Sequence, residues 1–120
     1  MFEDTRSAVF TTLDQCLITT LPSSLGGATS DALLAQTLER CARQRFRAVI
    51  FDLSPIELLD ISEWTWLITL ANSVKLMGST PWFVGLRPAV VATLVTLNAP
   101  MPKVPCALGV EEALTESRVR

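Results

Sequence analysis

At 120 residues the chain is the length of one ordinary domain, and with 49% hydrophobic and 18% charged residues it lies far from the polar, highly charged composition of disordered segments. Ten basic residues against twelve acidic ones give a net charge of −2, and no run of Lys or Arg is long enough to track a phosphate backbone, so nucleic acid is not an expected partner. Histidine is absent, which removes the commonest general base and excludes Ser-His-Asp and Cys-His catalysis.

Taken in order, the chain opens with an alternation around Ala8-Val9-Phe10-Thr11, followed by Gln15 to Thr20, with Leu13-Asp14 as the expected turn of a hairpin. Met1 to Arg6 carries two acids and has neither the basic start nor the apolar centre of a signal peptide, so a cytoplasmic location is expected. Leu21 to Thr29, with Pro22, Ser23, Ser24, Gly26 and Gly27, reads as a loop. A helix capped by Thr29 or Ser30 should then run to about Gln44, with Leu34, Leu38 and Cys41 on its buried face. Arg47 to Leu53 is a nearly continuous apolar run, as expected for a central strand covered on both faces.

A loop over Ser54 to Ile61 leads to a second helix with Ser62 as N-cap, a core face of Leu67, Leu70, Ala71, Val74 and Met77, and Gly78 at its C-terminus. Pro81 to Gly85 reads as a strand, and Pro88 starts a third helix with a stripe of Val90, Leu94 and Leu97 that ends at Asn98-Ala99-Pro100. Val104 to Ala107 is a candidate edge strand, and Val110 to Glu116 a final helix. The order ββαβαβαβα predicts a single α/β domain over residues 1–120, with a mixed, mostly parallel sheet opened by a β-hairpin and helices packed on it. No apolar stretch approaches the roughly 20 residues that span a bilayer, so no direct membrane insertion is expected. Cys16, Cys41 and Cys106 are too widely spaced for a metal knuckle and read as buried, reduced thiols.

Two stretches carry a family resemblance. Ile50-Phe51-Asp52-Leu53-Ser54-Pro55-Ile56-Glu57-Leu58-Leu59-Asp60-Ile61-Ser62 resembles the signature of STAS domains, the anti-sigma factor antagonist family, in which a strand ending in Asp leads through an apolar loop to Asp-Ser-Ser or Asp-Ser-Phe at a helix start. Val84-Gly85-Leu86-Arg87-Pro88-Ala89-Val90-Val91-Ala92-Thr93-Leu94-Val95 is similar to the RsbS and RsbR type of stressosome scaffold protein, as is Ala107 to Leu114. The resemblance implies a STAS (SpoIIAA-like) fold and a non-catalytic, partner-switching role without a cofactor. The implied partners are a switch-type serine kinase or anti-sigma factor and RsbR-like STAS proteins, in a homo- or hetero-oligomer whose phosphorylation releases the kinase.

The chain departs from this pattern where it matters. The residue after Asp60, the family's phosphoacceptor position, is Ile61, which has no hydroxyl. Ser62 is the nearest substitute acceptor, although helix capping alone explains a Ser at this boundary. Thr93 corresponds to a second phosphorylatable threonine of some RsbR-type relatives, or is an ordinary helix-surface threonine. Ile56, Leu58, Leu59 and Ile61 crowd a predicted loop with large apolar side chains, which either form a protein-binding patch or fold two inward over the sheet end. Trp64 and Trp66 are roughly 200° apart around a helix, so one of them is expected at an interface. The candidate partner-binding set is therefore Ile56, Glu57, Leu58, Leu59, Asp60, Ile61, Glu63 and Trp64. Asp52, Glu57, Asp60 and Glu63 lack any known metal-ligand spacing and read as an acidic rim that orients a basic partner surface. The alternatives to a regulatory scaffold are a STAS subunit of a membrane transport or lipid-transfer complex, or a small enzyme acting through Ser62 or Asp60.

Overall fold

The computed structural model describes residues 8–119, so Met1 to Arg6 lies outside the described residues. Its elements are β1 (Val9–Leu13), β2 (Cys16–Thr20), α1 (Gly27–Arg43), β3 (Ala48–Asp52), α2 (Ile61–Leu76), β4 (Thr80–Val84), α3 (Pro88–Thr96), β5 (Cys106–Ala107) and α4 (Val110–Ser117), the predicted order. One five-stranded sheet runs β1-β2-β3-β4-β5, with β1 antiparallel to β2 and every later pair parallel. The hairpin turn is Asp14-Gln15, one residue later than expected. Both residues are left-handed, at φ 53° and 63°, as a two-residue type I′ turn demands, and Leu13 is thereby freed to pair with Cys16.

β3 lies at the centre, and Ala48, Val49, Ile50 and Phe51 are fully buried. Alternation sends Val49 and Phe51 into the larger core with Leu33, Leu67, Leu70 and Leu94, under α1, α2 and α3. Ala48 and Ile50 face the other way, against Trp82, Val84 and the Ala113 face of α4. Helices on both faces explain why this strand reads as a continuous apolar run.

Several local expectations are corrected. α1 starts at Gly27, with Gly26 as an N-cap that supplies no side chain. Its buried stripe is Ser30, Leu33, Thr37 and Cys41, while Leu34 and Leu38 are half-buried. Two polar residues can be buried because their hydroxyls donate to backbone carbonyls, Ser30 to Leu25 O in the preceding loop at 2.9 Å and Thr37 to Leu33 O at 2.7 Å. Met77 and Leu97 are exposed at helix ends rather than in their core stripes. Each precedes a left-handed residue, Gly78 at φ 93° and Asn98 at φ 56°, in a Schellman closure that turns the chain away from the core. The closing bonds run from Ser79 N to Val74 O and from Ala99 N to Leu94 O, at 3.3 and 2.9 Å. The edge strand shrinks to Cys106–Ala107, and Cys106 is exposed, whereas Cys16 and Cys41 are buried.

At the amino ends of the parallel strands, Asp14 ties the hairpin to the chain's last helix. Its carboxylate accepts from Arg118 Nε at 2.7 Å and from Arg47 at 2.9 Å, and Arg47 also bonds Ser117 Oγ. Hydrogen bonding from Arg118 foremost holds this carboxyl below its ordinary value of 3.8; desolvation, the next influence in size, opposes it, and the charges of Arg118 and Arg47 and the Arg47 hydrogen bond add to the lowering. A lowered folded-state pKa stabilises the fold above the unfolded value and ceases to do so as pH falls through the folded one. Thermal unfolding of Asp14→Asn should therefore lie below wild type at neutral pH and converge with it only below about pH 3.8, the side chain's exposure keeping the gap small. A gap that persists undiminished at more acid pH would rule the ion pairs out as its source.

Candidate functional site

The parallel strands all end on one rim, where the β2–α1, β3–α2 and β4–α3 loops meet. Backbone bonds extend the sheet into them: Leu21 N to Asp52 O at 3.0 Å, Leu53 N to Val84 O at 2.8 Å and Gly85 N to Ala107 O at 3.3 Å. Asp52 accepts from Ser54 N at 3.0 Å and so starts the β3–α2 loop as an Asx turn. Arg87 Nε donates to Ser54 O at 2.8 Å, and its guanidinium lies 3.8 Å from the Glu57 carboxylate. Gly85, at φ 74°, lets the β4–α3 loop press on this turn: a Cβ there would stand 2.9 Å from Asp52 Oδ1 and 3.2 Å from Ser54 N.

On this base the four apolar loop residues divide in two. Ile56 and Leu59 fold inward and are buried, so they cannot contact a partner in this conformation. Leu58 stands out at 86% exposure and Ile61 is 38% exposed. Burying Ile56 and Leu59 closes the core over the sheet end. The helix cap is also reassigned. Asp60, not Ser62, is the N-cap of α2: its carboxylate accepts from Glu63 N at 2.7 Å, while Glu63 Oε1 accepts from Asp60 N at 3.0 Å. This reciprocal capping box leaves Ser62 exposed on the second helical residue, with no capping duty.

Trp64 must be withdrawn from the surface set. It is 3% exposed, donates from Nε1 to Pro100 O at 2.6 Å and packs against Phe83 with ring centroids 5.7 Å apart. Its position extends the Leu67, Ala71, Val74 stripe back by one turn, which is why it faces inward. Trp66 is half-buried at the edge of the same core.

A recess of about 300 Å³ brings Glu57, Leu58, Leu59, Asp60 and Glu63 together with Ala89, Val90 and Thr93 of α3. Thr93 thus joins the rim from a different element, exposed, with its hydroxyl donating to Ala89 O at 3.0 Å. Ser62 is not part of that recess. No three His, Cys, Asp or Glu side chains converge as metal ligands among the described residues. Sequence reasoning did not assign Gly85 or Ser54 to the site, and Arg87 entered only as part of a motif. The signal for Gly85 was present, as a lone glycine between an apolar strand and a proline-started helix, whereas the Arg87 to Ser54 bond had none.

Beyond α3 lies an apolar hollow of about 440 Å³, with Trp64, Phe83 and Leu94 in its wall and Met101 and Leu108 exposed beside it.

Comparisons with known proteins bear on this rim. The family model described as the STAS domain matches residues 7–113. No curated protein matches the chain. Among solved structures, RsbS of Moorella thermoacetica superposes with a TM-score of 0.79 at 18% identity, covering 93% of this chain and 95% of that one. The unphosphorylated anti-sigma factor antagonist SpoIIAA gives 0.72 at 12% identity, over 95% and 98% of the two chains. A segment of a murine solute carrier family 26 anion transporter gives 0.72 at 14% identity, covering 95% of this chain and 22% of the transporter. At such identities the solved structures establish a common fold, and together with the family model, which spans nearly all described residues, they show that this chain belongs to the STAS domain family.

Proposed function

We propose that this chain is a regulatory protein-binding module whose docking face is the rim at the carboxyl ends of its strands, taking a switch-type serine kinase or anti-sigma factor in a partner-switching pathway. The observation that carries the proposal is Leu58. A large aliphatic side chain stands almost fully in solvent at the tip of a loop that a capping box, an Asx turn and the Arg87 bond hold in place. Rigid, apolar and ringed by Glu57, Asp60 and Glu63, it fits the centre of an interface whose partner presents a pocket with a basic border. Membership in the STAS family and the shared fold with RsbS and SpoIIAA support this reading.

Leu58→Asp should abolish capture of the partner from a lysate while leaving thermal unfolding within about 0.5 kcal/mol of wild type, as for other exposed sites. Recovery of the same serine kinase by both forms, identified by mass spectrometry, would remove Leu58 from the interface; specific recovery of a permease or transport ATPase would favour the transporter-subunit alternative.

Ser62 and Thr93 remain the proposed acceptors of a phosphate. On Ser62 the group would add about −1.5 to −2 charge between Asp60 and Glu63, where repulsion among these like charges and the cost of desolvating the phosphate beside Leu58 would weaken a docked interface. Intact-mass spectrometry after incubation with kinase and ATP should show one added phosphate, which peptide mapping places on Ser62 or Thr93 and which the matching Ser62→Ala or Thr93→Ala variant loses. An unmodified chain that still binds the kinase would make it a constitutive scaffold.

A further inference from the structure

The sheet ends at β5, a strand of two residues that pairs with β4 on one side and, among the described residues, with no strand on the other. Pro105 O and Ala107 O accept from Phe83 N at 3.1 Å and from Gly85 N at 3.3 Å, so these alternate residues turn their peptide groups toward β4. Cys106 lies between them, and its N–H and C=O therefore point out of the sheet, along an open edge. Pro105 does not interrupt that outer row, because its missing N–H belongs to the β4 side.

The apolar hollow of about 440 Å³ lies against this edge, and both faces of the sheet contribute to its wall. Cys106 stands opposite Phe83, on the face that α3 covers with Leu94, whereas Ala107 belongs to the smaller core and Glu112 to α4, on the other face. A space lined from both faces is the space a further strand would take, its alternate side chains turned toward α3 and toward α4. Around the mouth Val91, Val95, Met101 and Leu108 are all exposed, Leu108 at 88%. A small apolar molecule could fill the hollow but would leave these four in water, whereas a chain laid along the edge covers them. Glu112 is the charged residue of the lining; it is exposed, and among the described residues no Lys or Arg joins it there.

We propose that β5 is a docking edge for an extended segment of a partner protein, which adds a strand to the sheet, turns apolar residues toward α3 in the hollow and sets a basic residue against Glu112. Main-chain bonds to Cys106 fix the register of the added strand, and its alternating side chains supply selectivity. An edge of two residues is too short to template pairing with every strand that approaches, so the filling of the hollow decides which segments stay. Charge complementarity at Glu112 disfavours an acidic segment. The surface is distinct from the rim: α3 turns Ala89, Val90 and Thr93 toward the rim recess and Val91, Leu94 and Val95 toward the hollow. The docking edge does not rest on the function proposed for the rim.

Selection on the full chain from a display library of random peptides of about nine residues, long enough for a strand, tests it, with amide exchange followed by NMR on the peptides recovered. Enriched sequences should carry apolar residues at every second position with Lys or Arg between them, and the bound peptide should slow exchange of the Cys106 amide. Val95→Gln with Leu108→Gln should weaken binding by roughly tenfold or more; both positions are exposed, and circular dichroism checks that the variant is folded. Selection on Glu112→Lys should replace the basic residues of the peptides with acidic ones, and Leu58→Asp should bind as wild type does. A library that yields no enriched sequence overturns the proposal, as do peptides that leave the Cys106 amide exchanging freely, the result expected of a helix in the hollow. Decanol binding in a chain that selects no peptide would make the hollow a small-molecule site instead. Slowed exchange at Cys106 in the chain alone as its concentration rises would give the edge to a second copy, and would equally sink the partner strand.

Discussion

Gly85→Ala is expected to destabilise the domain by about 2–4 kcal/mol, with a fall in Tm of roughly 10 °C or more, although it adds a single methyl group. Gly85 sits at φ 74°, a conformation that alone costs an L-residue about 1–2 kcal/mol. The added Cβ would also meet Asp52 Oδ1 at 2.9 Å, Ser54 Cβ at 3.1 Å and Ser54 N at 3.2 Å, and one of these is backbone and another a carboxylate fixed by its bond to Ser54 N. Nothing flexible is available to give way. The turn that opens the β3–α2 loop must shift, carrying the Ser54 carbonyl off Arg87 and Leu58 out of place, so partner capture should fall with stability. Gly27→Ala is the control. It lies in α1 with nothing within 4 Å of a new Cβ and should raise stability by about 0.4–1 kcal/mol. A Gly85→Ala protein that melts with wild type would show that the two loops are not in the contact described.

Trp64→Ala should cost about 3–5 kcal/mol, a large share of the roughly 5–15 kcal/mol by which domains of this size are stable. The indole fills the space between Phe83 and the chain after α3, and its loss leaves both a cavity and an unpaired Pro100 carbonyl. Trp64→Phe separates the two effects: it keeps much of the volume and forfeits the 2.6 Å hydrogen bond, for a cost nearer 1 kcal/mol. Urea denaturation of the two variants measures both. If Trp64 were instead a contact residue, its truncation would weaken partner binding while leaving the midpoint almost unmoved, and that result would return it to the surface.

Much of the fold was legible because its signals are local. The two-residue turn, the 3.6-residue stripes and the punctuation at Gly78 and Pro88 each act within a few residues, and the structure has the element order they predict. Errors fell where two local signals compete. Asp60 and Ser62 are both capping residue types two positions apart; the decisive sign was Glu63 three residues after Asp60, which completes the capping box. Trp64 could have been placed inside by extending the Leu67, Ala71, Val74 spacing back three residues. The α1 stripe was misread through Ser30 and Thr37, whose burial depends on hydroxyl bonds to backbone that no periodicity registers.

What the chain's sequence determined by itself is the order of the elements, the mixed sheet they form and the resemblance to STAS domains, since each follows from patterns of neighbouring residues. Only the tertiary structure decided which of Ile56, Leu58, Leu59 and Ile61 meet solvent, and that Thr93 joins the rim. A loop has no repeat that orients its side chains. Their directions here are imposed by residues about thirty positions away, through the bond from Arg87 to Ser54 and the press of Gly85 on Asp52.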